Sequence, residues 1–398
     1  MAETIEQWLA AQGLLGAQPV EIMDGFCQRL VDGGFPLARG LIGLRMLHPH
    51  YGAVACLWRR GEGGVEIERI DHGSDGFARS PFAPLARDGG GTLRRRLEDP
   101  ACPRDFPILT ELARAGITDY VCSVVPFGEA IPTNGLMTSW ATDRRGGFAE
   151  TEIERLGSLV PLLAIAAKAS VAPRIARSLL TIYLGHDAGN RVLAGKVRRG
   201  SIERIGAVLY YADLTGFTSF ADKTAGEPLI AALNLYLEAM VVPVECSGGQ
   251  ILKFMGDGLL ATFALADFGG KAEAAAAAAL DAAEETLAKV AALNAGRQAA
   301  GEAIMAADIA LHLGDVLYGN VGSEERLDFT VIGPAVNEAS RIETLCGTLG
   351  RHVLVSAALA VAAGGERHRL ESLGRHRLRG VSEPQEVFGL VRSRAADP

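Results

Sequence analysis

Two aspartates follow apolar runs in positions where a chain turns. Asp213 comes after the apolar stretch 205–211 and before Thr-Gly-Phe-Thr, and Asp257 is the centre of a Gly-Asp-Gly turn at 256–258. Taken singly, Asp213 could cap a helix and Asp257 could simply form the turn. Two neighbouring carboxylates repel each other unless a cation lies between them. Mg²⁺ suits such a pair, because it takes oxygen ligands and keeps water or phosphate in its shell. The pair predicts a divalent-metal site.

The residues after Asp213 predict a phosphate site beside it. The backbone N–H groups of 215–218 open a predicted helix, and a helix N-terminus binds phosphate readily. Gly216, Phe217 and Thr218 are the candidate substrate-binding residues of this segment, although the Phe217 side chain is more typical of a core residue than of a stacking platform. Carboxylates next to a phosphate cradle indicate a metal-bound nucleotide.

The surrounding pattern explains how the two aspartates meet. A strand at 206–213 leads to a helix at 227–247, a hairpin of strands at 250–255 and 259–263, a helix at 271–295 and a strand at 306–323. This β-α-β-β-α-β order is the split βαβ, or ferredoxin-like, arrangement of an α/β (α+β) domain. In that sheet the first strand lies beside the hairpin, so we expect Asp213 and Asp257 at one edge.

Three long motifs of this region resemble the class III nucleotidyl cyclases. They are "YADLTGFTSFAD", "GGQILKFMGDGLLATF" and "ALHLGDVLYGNVGSEERLDFTVIGPAVNEASRIE". The resemblance implies that the chain turns a nucleoside triphosphate into a 3′,5′-cyclic monophosphate and pyrophosphate. It also implies that Asp213 and Asp257 hold two ions per site, Mg²⁺ or Mn²⁺, for an in-line attack by the ribose 3′-hydroxyl.

The same resemblance assigns residues to the base. Lys253 matches the lysine that contacts it, and a lysine donor suits N1 of adenine, whereas guanylate cyclases tend to have Glu there. Thr330 stands at the second base-reading position, where many relatives have Asp, and this is similar to a Thr-bearing subgroup. Asp328 is a weaker alternative. The chain is therefore expected to use ATP and to be an adenylate cyclase.

Further residues match the family's transition-state and phosphate groups. Asn337 matches the asparagine that orients the ribose, and Arg341 matches the arginine that stabilises the α-phosphate; at a spacing of four they share one helix face. Arg379, with Arg377 second, is the candidate for the terminal phosphates.

The resemblance also implies a dimer. In the family, the metal-binding aspartates of one subunit meet the base-reading and arginine residues of the other. This chain has one copy of the cyclase region with both sets, so a C2 homodimer would build two composite active sites. A guanylate cyclase and a catalytically degenerate nucleotide-binding module that signals by contact remain as alternatives.

The rest of the chain is predicted to regulate this domain. Residues 1–170 show terminal helices around strand-like runs, which predicts a mixed sheet flanked by helices. They resemble a GAF-type sensor, most clearly in "SWATDRRGGFAETEIERL". Thr151 lies three residues before Glu154, which is the spacing of a capping box, although Glu150 and Glu152 could also serve the helix start. Residues 171–204 are a predicted helical connector, broken by Gly185 and Gly189, and 205–392 form the catalytic domain. A small-molecule effector of the sensor is a further expectation.

Composition argues against several other classes of protein. The 398 residues carry a formal net charge of −8, which disfavours nucleic-acid binding. The six cysteines form no CxxC pair and predict reduced thiols. The acidic N-terminus lacks the features of a signal peptide, and no uninterrupted apolar run is long enough to span a membrane. We therefore expect a cytoplasmic protein with no membrane partner.

Overall fold

A computed structural model describes residues 3–128, 135–224, 226–379, 381 and 383–391. The chain divides into two compact units, Met1–Leu179 and Leu180–Pro398.

The first unit contains a six-stranded antiparallel sheet in the order β3-β2-β1-β6-β5-β4. Its strands are β1 (Arg39–Arg45), β2 (Ala53–Arg59), β3 (Val65–Ile70), β4 (Gly91–Arg96), β5 (Asp119–Pro126) and β6 (Gly135–Thr142). Its helices are α1 (Ile5–Leu15), α2 (Pro19–Asp32), α3 (Phe82–Arg87), α4 (Pro107–Arg114) and α5 (Glu150–Leu184), of which α5 continues into the second unit.

Helices form separate cores with the two sides of this sheet. Side chains of α1, α2 and α5 form one core with the strands around Trp140, while α4 forms another around Tyr120. The predicted sheet-rich N-terminal domain with terminal helices is confirmed, but its described strands all pair antiparallel, so the sheet is not mixed as predicted. The stretch between β3 and β5 also contains α3, β4 and α4, which the sequence did not predict.

One prediction of a helix start was wrong. The structure begins α5 at Glu150, so Thr151 lies inside the helix rather than at its cap. Glu152, the alternative named with it, accepts a hydrogen bond of 2.7 Å from the backbone N–H of Ala149.

The second unit contains an eight-stranded sheet built on the predicted β-α-β-β-α-β order. Its strands are β7 (Ile202–Thr215), β8 (Gln250–Met255), β9 (Gly258–Ala264), β10 (Ala306–Gly322), β11 (Leu327–Ile332), β12 (Val353–Ser356), β13 (Leu370–His376) and β14 (Gln385–Leu390). The order is β13-β14-β12-β10-β7-β9-β8, with β11 paired to β10. The four strands β10, β7, β9 and β8 lie in the ferredoxin-like order, with β7 beside the hairpin, as predicted.

The helices of the second unit cover both faces of this sheet. They are α6 (His186–Leu193), α7 (Phe217–Ala221), α8 (Glu227–Cys246), α9 (Ala272–Ala299), α10 (Pro334–Glu343), α11 (Cys346–Leu349) and α12 (Ala357–Ala362), with 3-10 turns at Leu265–Phe268 and Gly364–Arg369. Successive side chains of a strand point to opposite faces. Accordingly Tyr210 of β7 lies in the main core with α8 and α9, whereas Leu209 lies in a second core with α6 and α10.

The predicted connector is helical over most of its length. Helix α5 continues to Leu184, Gly185 adopts φ +85° at the cap of α6, and Gly189 lies inside α6 instead of breaking it. Ala188 of α6 is buried in the second core. The C-terminal part of the connector is thus packed into the second unit.

Two described helices, α5 and α8, are long and apolar enough to cross a membrane by length and composition alone. In α8, 28% of the apolar window is buried, and its Tyr236, Met240 and Val244 belong to the main core. All six cysteines are free, as expected.

Candidate active site

Asp213 lies on β7, two residues before the strand ends at Thr215. The strand was predicted to stop at Asp213, but it continues because Thr215 is paired with Ala306 of β10. By strand alternation Asp213 points to the same side as Leu209, which is the side that α10 covers.

The turn between β8 and β9 is packed against Asp213. Gly256 adopts φ +68°, which favours glycine. A Cβ atom on Gly258 would stand 2.5 Å from the carbonyl oxygen of Ala212 and 2.6 Å from Oδ1 of Asp213. Only glycine permits this approach, and it brings the turn residue Asp257 to the end of β7. The predicted convergence of Asp213 and Asp257 is therefore present in one chain.

The two carboxylates resist ionisation in this position. Partial burial and then the neighbouring charge of Asp257 raise the pKa of Asp213 to about 6. Desolvation also raises the pKa of Asp257. Both effects disfavour negative charge. A divalent cation would reverse them, because it stabilises the ionised carboxylates that bind it.

Two further acids lie close to this pair and were not singled out from the sequence. Asp308 of β10 is the cross-strand partner of Asp213, and it accepts hydrogen bonds from Thr215 Oγ1 at 2.6 Å and from the His352 ring at 2.7 Å. Glu343 ends α10, and burial together with the charge of Asp213 raises its pKa to about 7. The site thus contains two acidic side chains in addition to the two that were predicted.

The donor set fits Mg²⁺ or Mn²⁺ bound together with a nucleotide. Within the described ranges, no group of three or more His, Cys, Asp or Glu side chains is arranged to hold a metal ion. A site with two carboxylates leaves most of the shell to phosphate and water oxygens, which is how Mg²⁺ is usually bound beside triphosphates.

The segment after Asp213 supplies main-chain groups. Gly216 adopts φ +95° and caps the five-residue helix α7, which starts at Phe217 and includes Thr218. The Phe217 side chain packs against the main core. This confirms that its ring is structural, and leaves its backbone N–H as the group that could meet a phosphate.

Lys253 and Thr330 line one cavity of about 620 Å³, although they lie on different strands. Lys253 is exposed on β8, and Thr330 lies on β11 opposite Gly319. Asp328, the weaker alternative, lines the same cavity. The structure therefore brings the predicted base-reading residues together.

Thr330 has an unused hydroxyl. Its residue surface is 7% exposed, and Oγ1 has no hydrogen-bond partner among the residues that the structure describes. A buried hydroxyl without a partner is costly. Its position in the Lys253 cavity suits a ligand that can complete the hydrogen bond.

Asn337 and Arg341 lie on α10 and line a second cavity of about 790 Å³. The predicted four-residue spacing on one helix is confirmed. Arg379 is exposed, two residues before Val381, which lines that cavity. Arg377 is exposed as well.

Comparison with known proteins agrees with this site. Residues 201–391 match the family of the adenylate and guanylate cyclase catalytic domain. The chain is 32% identical over 188 residues to adenylate cyclase 1 of Rhizobium meliloti, which covers 46% of this chain and 27% of that protein. It is 30% identical over 229 residues to the photoactivated adenylate cyclase subunit beta of Euglena gracilis, covering 56% of this chain and 26% of the relative.

A structural neighbour supports the fold. A bacterial light-regulated adenylyl cyclase is similar with a TM-score of 0.50 at 17% identity, covering 64% of this chain and 82% of the other. The chain spans only about a quarter of the two named relatives, 27% and 26% of their lengths. The family match covers the strands and helices that hold Asp213, Asp257, Lys253 and Arg341. Residues 201–391 of this chain therefore match the catalytic domain of the adenylate and guanylate cyclases, and these residues hold the candidate site.

Proposed function

We propose that the protein is an adenylate cyclase that converts ATP to 3′,5′-cyclic AMP and pyrophosphate. The observation that carries the choice of base is the cavity lined by both Lys253 and Thr330, whose hydroxyl has no partner among the described residues. A lysine can donate to N1 of adenine, and a threonine oxygen can accept from the exocyclic amine. Guanine carries a proton at N1, which would oppose Lys253, whereas its O6 could still accept from the Thr330 hydroxyl, so the discrimination rests on Lys253. Two relatives that carry the name adenylate cyclase support the proposal.

Each residue set has a distinct task in this proposal. Asp213 and Asp257 would hold two divalent ions, which when bound would lower the pKa of the ribose 3′-hydroxyl and neutralise the triphosphate. The N–H groups after Gly216 contact phosphate oxygens. Asn337 orients the ribose, and Arg341 donates to the α-phosphate oxygens as charge grows on them.

We also propose that the active sites are shared between two copies of the chain. Within one chain, Lys253 lines one cavity and Arg341 another. Asp257 lies in the turn between β8 and β9, and Asp213 lies near the end of β7. Helix α8 leaves Ile230 and Leu235 more than half exposed, at 54% and 51%, and Phe254 of β8 is 54% exposed. Exposed apolar side chains of this size favour burial against a protein partner. A second copy would cover them.

The proposal has a direct test. Purified protein is incubated with ATP or GTP in Mg²⁺ or Mn²⁺, and the cyclic products are separated and quantified. We expect cyclic AMP as the main product, and none from Asp257→Ala. A preference of the wild type for GTP would overturn the argument from Lys253 and Thr330. Nucleotide binding without any cyclic product would indicate the degenerate module instead.

The N-terminal domain is proposed to be a cytoplasmic, GAF-like regulator that takes a small molecule. It contains a cavity of about 450 Å³ between β1, β2 and β3 and the segment around His72 and Phe77. Gly43 lines this cavity, and a Cβ atom there would make only ordinary contacts, the nearest at 3.5 Å to Met137. Gly43→Val should therefore fill the cavity without unfolding the domain. A change in the cyclase rate would support regulation through this cavity, and an unchanged rate in a folded variant would count against it.

A further inference from the structure

The base cavity has a wall that no catalytic motif supplies. Besides Lys253 and Thr330, it is lined by residues 181–186, which are the end of α5, Gly185 and the first residue of α6. The connector thus contributes surface to the place where the base would bind.

Gly185 touches the strand that carries Lys253. A Cβ atom on Gly185 would stand 2.7 Å from the carbonyl oxygen of Ile251, a backbone atom that cannot swing aside. The position is also fixed from the other side, because Gly185 accepts a hydrogen bond of 2.9 Å from the N–H of Gly189, and Ala188 of the same helix is buried in the second core. The contact between the connector and β8 is therefore close and held in place.

This contact lies at an irregularity of β8. Ile251 pairs with Ala261, but Lys253 pairs with Leu260, so that Leu252 is the extra residue of a bulge. Leu252 is buried, whereas Lys253 and Phe254 are both exposed. In a regular strand with one covered face, buried and exposed side chains would alternate. Bulges re-aim side chains and are frequent beside active sites. The direction of Lys253 thus depends on the bulge that Gly185 packs against.

We infer that Gly185 is a positioning residue for base recognition: by packing against the Ile251 carbonyl it fixes the β8 bulge and thereby the direction of Lys253. The inference rests on the proposed adenylate cyclase activity. It also gives the connector a defined task. Helix α5 ends at Leu184, directly before Gly185, so that a rotation or shift of the end of α5 would act on the bulge first.

The chain offers a matched control for a test. Gly185 and Gly195 both have left-handed backbones, with φ of +85° and +87°. A Cβ atom on Gly195 would meet no described atom within 4 Å. Gly185→Ala and Gly195→Ala both place a Cβ atom on a backbone with positive φ, but only Gly185→Ala disturbs the contact with Ile251.

The experiment measures kcat and KM for ATP and for GTP with both full-length variants. For Gly185→Ala we expect KM for ATP to rise about tenfold, the worth of one weakened hydrogen bond to the base, with a smaller change in kcat and a reduced preference for ATP over GTP. Gly195→Ala should stay close to the wild type. If Gly185→Ala does not fold, Tyr183→Ala replaces it, since Tyr183 lines the same wall and its residue surface is 76% exposed.

The outcomes separate the two proposals. Equal effects of Gly185→Ala and Gly195→Ala, or a loss of kcat at unchanged KM and unchanged base preference, would overturn the positioning role while leaving the cyclase activity in place. In the fallback, an unchanged KM and base preference for Tyr183→Ala would do the same. A wild-type protein that forms no cyclic product from either nucleotide would remove the proposed function, and the positioning role with it.

Discussion

Replacing Asp213 by Asn should stabilise the metal-free protein while abolishing activity. The raised pKa of Asp213 means that the folded state binds a proton more tightly than the unfolded chain does. Above pH 6 the carboxylate is ionised in both states, and the folded state bears the full cost of burying it next to Asp257. As the pH falls from 6 towards 3.8, the folded state takes up its proton and the cost disappears. Asparagine has nearly the same shape and no charge, so it removes the cost at neutral pH.

The size of the effect follows from the pKa. A rise from 3.8 to about 6 corresponds to about 3 kcal/mol, since each tenfold change in proton affinity is worth about 1.4 kcal/mol. Asp213 is only partly buried, so solvent screening reduces this figure, and about 1.5 kcal/mol is a reasonable expectation at pH 8. For a domain of this size that is a rise of roughly 3–6 °C in Tm.

Calorimetry in EDTA at pH 8 and at pH 4 measures the effect, with Asp222→Asn as control because Asp222 is exposed and lies outside the acidic cluster. The Asp213→Asn gain should appear at pH 8 and shrink at pH 4, and the control should show neither. Mn²⁺ should stabilise the wild type, because it binds the folded state, but not Asp213→Asn. A variant that is less stable than the wild type at pH 8, or a gain that persists undiminished at pH 4, would refute the reasoning.

Three further substitutions test other parts of the site. Thr330→Val removes a buried hydroxyl that has no partner in the described structure, so the free energy of unfolding should stay within about 1 kcal/mol or rise, while KM for ATP increases; denaturant titration and steady-state kinetics measure the two. Gly258→Ala should destabilise the domain and weaken Mn²⁺ binding, because its Cβ would collide with β7; Gly256→Ala, whose Cβ would meet nothing within 4 Å, carries only backbone strain and is the control in the same calorimetry. Arg341→Ala should lower kcat about 100-fold with little change in KM, as expected for a group that acts on transition-state charge, and a rise in KM alone would contradict that role.

The features that sequence could predict are those set by neighbouring residues. The Gly-Asp-Gly turn fixes a hairpin by local backbone preferences, and β8 was predicted at its observed bounds of Gln250–Met255. The spacing of Asn337 and Arg341 needs only a helix of ordinary length. These local signals were enough for the split βαβ order and for the convergence of the two aspartates.

The features that sequence missed depend on pairings between distant segments. Asp308 faces Asp213 through the register of β7 with β10, which no local pattern specifies. The same ladder extends β7 to Thr215. Helices α3 and α4 have six and eight residues and are too short to show a periodic pattern. Each begins at or next to a proline, which is equally typical of a turn.

The connector shows the same limit. Gly185 and Gly189 look alike in sequence as helix breakers, yet only Gly185 has a left-handed backbone. Gly189 lies inside α6, close to the backbone of Leu180. A Cβ atom on Gly189 would stand 2.9 Å from the carbonyl carbon of Leu180, so the position requires a small residue and not a turn. Which of two glycines breaks a helix is decided by packing, and packing is visible only in the fold.

Mixing two inactive variants tests the central claim most directly. Asp213→Ala lacks a metal ligand, and Arg341→Ala lacks the proposed transition-state arginine. If each site combines the acids of one chain with the arginine of another, co-refolded equal mixtures should contain heterodimers with one intact site, and about a quarter of the wild-type activity should return by random pairing in a C2 dimer. A mixture as inactive as its separate components, although heterodimers are shown to form, would contradict the shared-site account.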